Sequence, residues 1–265
     1  MGTYAVTGSA SGMGSATAGK LRAAGHTVVG VDLANADLVA DLSTADGRRT
    51  AAEGVLAAVG GRLDGAVLAA GVGPVPGREA VIPQVNYFGA IELLRRWRPA
   101  LAAAGNAKVV VLSSNSTTTT PLVPRRAVRA LLSGDPDRAV RGARVFGKAA
   151  RAIIYSGSKI ALSRWVRRTA VLPEWAGSGI RLNALAPGAI LTPIFPVPIG
   201  GYGDPSQLAD WVVFMLSDAA DFLVGSVVFV DDGSDAYFRF DAWPRPVPLR
   251  GLTRYLRRMR SFGTF

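Results

Sequence analysis

The chain opens on a short β-prone run, Thr3 to Thr7, that passes directly into Gly8-Ser9-Ala10-Ser11-Gly12-Met13-Gly14 and then into a helical stretch closing at Gly25. Strand, glycine turn, helix is a restrictive order. Glycines let the backbone come close to a group such as a pyrophosphate, and the first turn of a helix offers it free N–H groups and a partial positive charge. Gly25, just past the last periodic residue, reads as the helix stop. A plain tight turn has the same composition, so the rest of the chain must decide between the two.

Thr27 to Val31 reads as a second strand, ending at Asp32. An acid there is placed to accept hydrogen bonds from adenosine ribose hydroxyls and would repel a 2′-phosphate. Leu33 and Ala34 supply no compensating arginine, which favours NAD over NADP. A third buried strand is expected from Leu63 to Ala70, ending at Gly71, and another from Lys108 to Leu112, ending at Ser113-Ser114. A helix carrying Asn86-Tyr87-Phe88-Gly89 falls between them. This alternation predicts a Rossmann-type doubly wound parallel sheet with helices on both faces, whose ligands sit at the carboxyl ends of the strands. With 265 residues, nearly half of them apolar, one α/β domain with a sizeable core is expected.

Tyr155-Ser156-Gly157-Ser158-Lys159 places a phenol and an ammonium four residues apart, on one helix face. A cation beside a tyrosine favours its phenolate, which suits the pair to proton exchange with a carbonyl or alcohol oxygen. Other chemistries are closed off. The chain has no cysteine and a single histidine, His26, expected at the surface, so thiol nucleophiles, zinc-thiolate sites and a Ser-His-Asp triad are out of reach.

The loop Thr7-Gly8-x-x-x-Gly12-x-Gly14, Asp41-Leu42, Asn86, Ser114, Tyr155-x-x-x-Lys159 and Asn183-Ala184-Leu185-Ala186-Pro187-Gly188 occur in the order seen in the short-chain dehydrogenase/reductase family, and over residues 1–233 the chain resembles it. Within that family it looks most like the bacterial 3α-hydroxysteroid dehydrogenase/carbonyl reductase branch. The stretches 39–45 and 85–90 and a long insertion before Tyr155 carry that closer likeness. The resemblance implies that Tyr155 is the general acid/base, that Ser114 donates a second hydrogen bond to the substrate oxygen, and that Lys159 lowers the tyrosine pKa and binds the nicotinamide ribose. Asn86 would hold a water linking Lys159 to solvent. For the cofactor, NAD, it implies Gly8, Ser11, Gly12, Met13 and Gly14 at the pyrophosphate, with Asp41 and Leu42 at the adenine. Ala70, Gly71, Pro187, Gly188, Ile190 and Thr192 would stand toward the nicotinamide. Tyr155 and Lys159 belong to both sets, and nothing requires a metal.

Two departures from the family pattern bear on geometry. Leu68-Ala69-Ala70-Gly71 stands where the family has Asn-Asn-Ala-Gly, so apolar packing is expected there. Asp231-Asp232-Gly233 stands for Asp-Gly-Gly and puts the local turn in question. Forty residues separate Ser114 from Tyr155, and Asp135-Pro136-Asp137 within them is an N-cap followed by proline, predicting two short basic helices meeting at Gly134. A homo-oligomer, dimer or tetramer, is expected; the insertion stands beside a helix that often forms a tetramer interface in the family and would block that packing, which points to a dimer or an unusual assembly, with a solvated surface excursion as the alternative. The substrate-closing segment from Thr192 to Asp204 is short, and Asp204-Pro205 should cap a helix to about Leu216.

The net charge of +11 lies in residues 115–154 and 235–265, at +6 and +5; the remaining chain holds fifteen charges of each sign. A neutral domain with two basic segments argues against a nucleic-acid-reading surface, and no nucleic acid is expected. The division read here is a dinucleotide-binding domain over 1–234, with its insertion at about 115–154, and a basic aromatic extension over 235–265. In the extension Leu252, Tyr255, Leu256, Met259 and Phe262 share a helical face, suited to a sister subunit, its own domain or a membrane surface. Tyr237 to Trp243 is expected to cover the pocket left open by the short closing segment. With no signal-like N-terminus and no spanning apolar stretch, a cytoplasmic location is expected.

The function expected is an NAD(H)-dependent interconversion of a secondary alcohol and a ketone on a bulky apolar substrate, a hydroxysteroid or aromatic carbonyl compound. Two rivals stand beside it. One is a 3-oxoacyl or polyketide ketoreductase working on a carrier-bound substrate; the other is a non-catalytic NAD-binding scaffold at a membrane or partner surface.

Overall fold

The computed structural model describes residues 1–188, 203–242 and 252–260. Seven parallel strands form one sheet: β1 (Thr3–Thr7), β2 (Thr27–Asp32), β3 (Leu38–Val39), β4 (Gly65–Leu68), β5 (Lys108–Leu112), β6 (Arg181–Pro187) and β7 (Val227–Val230), in the order β3-β2-β1-β4-β5-β6-β7. β4 is shorter at both ends than the run 63–70 suggested, because Leu63 and the Ala69-Ala70 pair leave the ladder. The expected doubly wound architecture is present.

Alternation along the buried strands divides the core in two. Ala5, Val29, Val31, Ala66, Leu68, Val109, Val111, Leu182 and Ala184 face a large cluster with Trp97, Leu131, Ile154 and Trp165. Tyr4, Val6, Val28, Val67, Val110, Leu112 and Leu185 face a smaller one with Leu21, Val212 and Met215. The helix Gly12–Ala23 and the helix Pro205–Leu216 cover the smaller face; Ala45–Ala58, Ala90–Ala104 and Ala150–Thr169 cover the other. β1 lies between β2 and β4, so the chain changes direction of travel across the sheet at β1 and opens a crevice at its carboxyl end.

The insertion forms the expected helices, Arg125–Leu132 and Pro136–Arg144. Gly134 between them takes φ +87°, and the Asp135 carboxylate accepts from the Arg138 N–H at 2.8 Å. Their apolar residues Ala127, Val128, Ala130, Leu131, Ala139, Val140 and Ala143 join the large cluster, so the insertion is part of the core and no solvated excursion. His26, expected at the surface, is half-buried: its Nδ1 accepts from Gly2 N–H at 3.1 Å and its ring meets Tyr4 edge-on. Among the described residues no helix is long and apolar enough to cross a membrane.

Candidate active site

The glycine loop is shaped by backbone meeting backbone. A Cβ on Gly14 would lie 2.1 Å from the Gly8 carbonyl oxygen, and Gly8 itself, at φ +70°, would place one 2.8 Å from Ala70 N. Only glycine fits at these two positions. Ser11 precedes the helix Gly12–Ala23 without capping it through its side chain, so the first N–H groups of that helix face the cleft unsatisfied by the chain. Asp32 Oδ2 accepts from Ala10 N–H at 2.9 Å and Oδ1 from Leu33 N–H at 2.7 Å, which ties the acid to the loop and leaves lone pairs for a further donor.

A cleft of about 280 Å³ runs along these residues. Ten of the expected cofactor residues line it: Gly8, Ser11, Gly12, Met13, Gly14, Asp32, Asp41, Leu42, Ala70 and Gly71. Uncapped N–H groups, a glycine cradle and an acid at the end of β2 in one cleft fit a dinucleotide. Pro187 ends β6, and its carbonyl accepts from Asn115 N–H at 2.9 Å. Gly188 lines a different hollow, of about 560 Å³, with Trp211, Phe214 and Asp231. Ile190 and Thr192, like most of the closing segment and Trp243, lie outside the described residues.

The cleft also takes in Val31, Leu33, Ala40, Ala69, Val72 and Val85, which sequence reasoning did not place there. Val72 acts through its backbone: its N–H donates to Asn86 Oδ1 at 2.7 Å and its carbonyl accepts from Asn86 Nδ2 at 2.9 Å. No side-chain type could have announced that. Arg48 is a second omission. Its guanidinium is buried, pairs with Glu92 at 2.7 Å, and donates to the Leu42 carbonyl at 3.1 Å and to Gln84 Oε1 at 3.3 Å. It thereby holds the Leu42 wall of the cleft against the helical turn that carries Asn86.

That turn, Gln84–Gly89, is a π-helical widening between Val81–Pro83 and the helix Ala90–Ala104. It turns Asn86 inward, where its Nδ2 also reaches Ser158 Oγ at 3.5 Å. The helix Ala150–Thr169 brings Tyr155 and Lys159 to the same place, and Ser114 enters from the end of β5. A Cβ on Gly71 would stand 3.5 Å from Asn86 Oδ1 and 3.8 Å from Lys159 Nζ, so the cleft opens directly onto these groups. All four expected catalytic residues, Asn86, Ser114, Tyr155 and Lys159, therefore converge.

Their protonation follows from burial. Desolvation raises the Tyr155 pKa, and the hydrogen bond with Ser114 works in the opposite direction without overcoming it. Lys159 Nζ donates to the Leu112 carbonyl at 2.6 Å and lies 6.0 Å from the centre of the Tyr155 ring. Burial lowers its pKa to about 8. The pull that opposes burial at Tyr155 comes from Ser114, while the Lys159 ammonium points to the β5 carbonyl.

A family model described as enoyl-(acyl carrier protein) reductase matches residues 139–235. The 3-alpha-hydroxysteroid dehydrogenase/carbonyl reductase of Comamonas testosteroni is 36% identical over 255 residues, spanning 90% of this chain and 98% of that protein. The chain belongs to the short-chain dehydrogenase/reductase family. The crystal structure of a 3-alpha-hydroxysteroid dehydrogenase from Pseudomonas sp. B-0831 complexed with NADH superimposes with a TM-score of 0.84 at 40% identity, over 90% of this chain and 99% of that one. A 2,5-dichloro-2,5-cyclohexadiene-1,4-diol dehydrogenase of Sphingobium indicum is 28% identical over 271 residues, covering 88% and 97%. For a short-chain dehydrogenase/reductase the unusual parts of this chain are well tolerated. Leu68 is buried in the large cluster and Ala69 packs against the smaller one, the apolar packing expected where the two asparagines are lost. Asp232 takes φ +51° ahead of Gly233 at +85°, so an aspartate adopts the left-handed backbone where the family has glycine.

Proposed function

We propose that this short-chain dehydrogenase/reductase is an NAD(H)-dependent oxidoreductase that interconverts a ketone and a secondary alcohol on a bulky, mostly apolar substrate of the hydroxysteroid or aromatic-carbonyl class. The observation that carries the reading is the hydrogen-bonded Ser114–Tyr155 pair beside Lys159 at the mouth of the dinucleotide cleft. The names of the relatives, a hydroxysteroid dehydrogenase/carbonyl reductase and one complexed with NADH, support the substrate class and the cofactor. Asp32 supports NAD over its 2′-phosphorylated form, since a second anion would meet its carboxylate with only Leu33 beside it.

When bound, the nicotinamide supplies or accepts the hydride at the carbonyl carbon. In reduction Tyr155 gives its phenolic proton to the substrate oxygen while Ser114 donates a second hydrogen bond to it, and in oxidation the phenolate takes the proton back. Lys159 stands ready to bind the ribose and to pass a proton toward Asn86 and solvent. A raised Tyr155 pKa keeps the phenol protonated at neutral pH. Reduction is therefore supported at neutral pH and falls as pH rises through about 8, where Lys159 discharges, whereas oxidation increases with pH. Rate profiles in the two directions with the same slope would contradict these roles.

The first test is NADH oxidation against 3-ketosteroids, simple aromatic ketones and a 3-oxoacyl thioester. Tyr155→Phe should lower kcat by roughly 10²–10⁴ with NADH affinity unchanged. NADH binding without turnover of any ketone would leave the scaffold reading standing. The proposal includes a cytoplasmic setting and a homo-oligomer in which the insertion limits assembly to a dimer; light scattering that gives a tetramer removes the last part.

A further inference from the structure

Several cations of the described residues meet acids. Lys20 pairs with Asp210 at 2.7 Å, Arg22 with Asp37 at 3.0 Å, Arg48 with Glu92 at 2.7 Å and Lys108 with Asp221 at 3.1 Å. One face differs. Arg126 and Arg129 on the helix Arg125–Leu132, Arg138 and Arg141 on Pro136–Arg144, and Arg164 and Arg168 on Ala150–Thr169 point cations into one region, and among the described residues none has a carboxylate partner.

The region is concave. Arg126, Arg129, Arg138 and Arg168 border a hollow of about 510 Å³ with Ser133, and Arg126, Arg138 and Arg141 border an adjoining one of about 300 Å³. Both insertion helices bury their apolar faces in the core, so the arginines on the opposite faces have a fixed spacing. Like charges three and four residues apart on a helix repel. The strain registers at Arg164, whose guanidinium is pushed below its ordinary pKa by partial desolvation and then by Arg168 and Arg125. A bound anion would remove that repulsion.

We infer that this arginine-lined hollow binds a small phosphoanion carrying two or more phosphate groups, at a place separate from the dinucleotide cleft. Guanidinium forks match phosphate oxygens two at a time. A single phosphate leaves most of the cations around the hollow unmatched, whereas a diphosphate answers them more nearly. A hollow of several hundred cubic ångströms has the size of a small-molecule site. The ligand would bridge the insertion to the helix that carries Tyr155 and Lys159, through Arg168 on that helix.

The test is calorimetric titration of inorganic pyrophosphate into the NADH-loaded protein at roughly physiological salt, where the Debye length is about 8 Å and distant surface charges are screened. NADH keeps the probe out of the cofactor cleft. The expected result is saturable one-site binding that weakens by at least about tenfold in an Arg129→Ser/Arg138→Ser double variant, and by less in Arg129→Lys, which keeps charge but loses the fork. Arg49→Ser, at a distant exposed pair with Asp46, should leave it unchanged. Binding seen only without NADH, or undiminished in the double variant, would overturn the inference. So would tighter binding of poly-glutamate or a short DNA duplex than of pyrophosphate, since either assigns the face to a macromolecule. If the protein fails to bind NADH, the same variants titrated without it still decide the question.

Discussion

On the β1–β4 side of the sheet, positions are fixed by backbone lying against backbone. Gly14 meets the Gly8 carbonyl, Gly47 the Asp41 carbonyl, and Gly8 the Ala70 backbone. On the β6–β7 side, the site is bounded by side chains reaching from segments outside the sheet. Asn115 Nδ2 donates to Asp231 Oδ2 at 3.4 Å, Asp231 Oδ2 accepts from Asp235 N–H at 2.8 Å, and Asp235 holds Arg239 through two hydrogen bonds. The first arrangement admits few residues and serves a ligand of constant shape. The second can change residue by residue without disturbing the sheet.

The sharpest way to break this contrast is Gly14→Ala. The added Cβ would need the Gly8 carbonyl, 2.1 Å away, to move, and with it the whole turn. NADH affinity should fall by about a hundredfold, the equivalent of the overpacking strain expected when backbone must shift. Near-normal affinity in a titration of NADH fluorescence would show that the loop is far more pliant than its contacts indicate.

This difference also decides what could be read from the chain. The glycine loop, Asp32, Asn86, Ser114 and the Tyr155–Lys159 pair are legible because residue type, spacing and strand-end position coincide. Ten of the expected cofactor residues fall in one cleft for that reason. Val72 and Ala69 are used through backbone and shape, which leave no mark in a one-letter code. Arg48 looks like any helical arginine until the fold puts Glu92 beside it. The Asp135-Pro136 signal located the insertion helices, but only packing reveals that their alanines belong to the main core. Pattern alone leaves the apolar stripe of the terminal helix, Leu252–Arg260, with three settings. Leu252, Tyr255, Leu256 and Met259 are all exposed, so of these the packing on its own domain is the one without support among the described residues.

Arg48 tests whether the rigid side depends on its side chains at all. Arg48→Ala removes the donor to the Leu42 carbonyl and leaves Glu92 without its partner. The KM for NADH should rise roughly tenfold with kcat within about twofold, and stability should drop by about 1–2 kcal/mol, moderated because Glu92 is partly exposed. Arg48→Lys keeps the ion pair and loses the fork, so it should recover stability better than KM. Equal loss of kcat and KM would place Arg48 nearer the chemistry than its position beside Leu42 implies.

The smallest effect belongs to the pliant side and is the most informative about substrate. The helix Ser234–Arg239 packs on the short helix Ser116–Thr119, which follows directly from Ser114. Asp235 is its anchor: burial raises the carboxyl pKa, yet hydrogen bonds from Arg239 and Thr118 outweigh that and hold it below the usual carboxylate range. Tyr237, Phe238 and Phe240 on this stretch are largely exposed, as a cover awaiting an apolar reactant would be. Ending the chain after Ser234 should raise KM for a bulky ketone about threefold, the loss of part of one apolar contact, and leave KM for NADH and for a small ketone unchanged. Asp235→Ala should do the same more weakly, because it loosens the helix without deleting it. An unchanged bulky-ketone KM in both variants would mean that the extension does not wall the substrate, and the aromatic residues would then have to be explained by contacts away from the site.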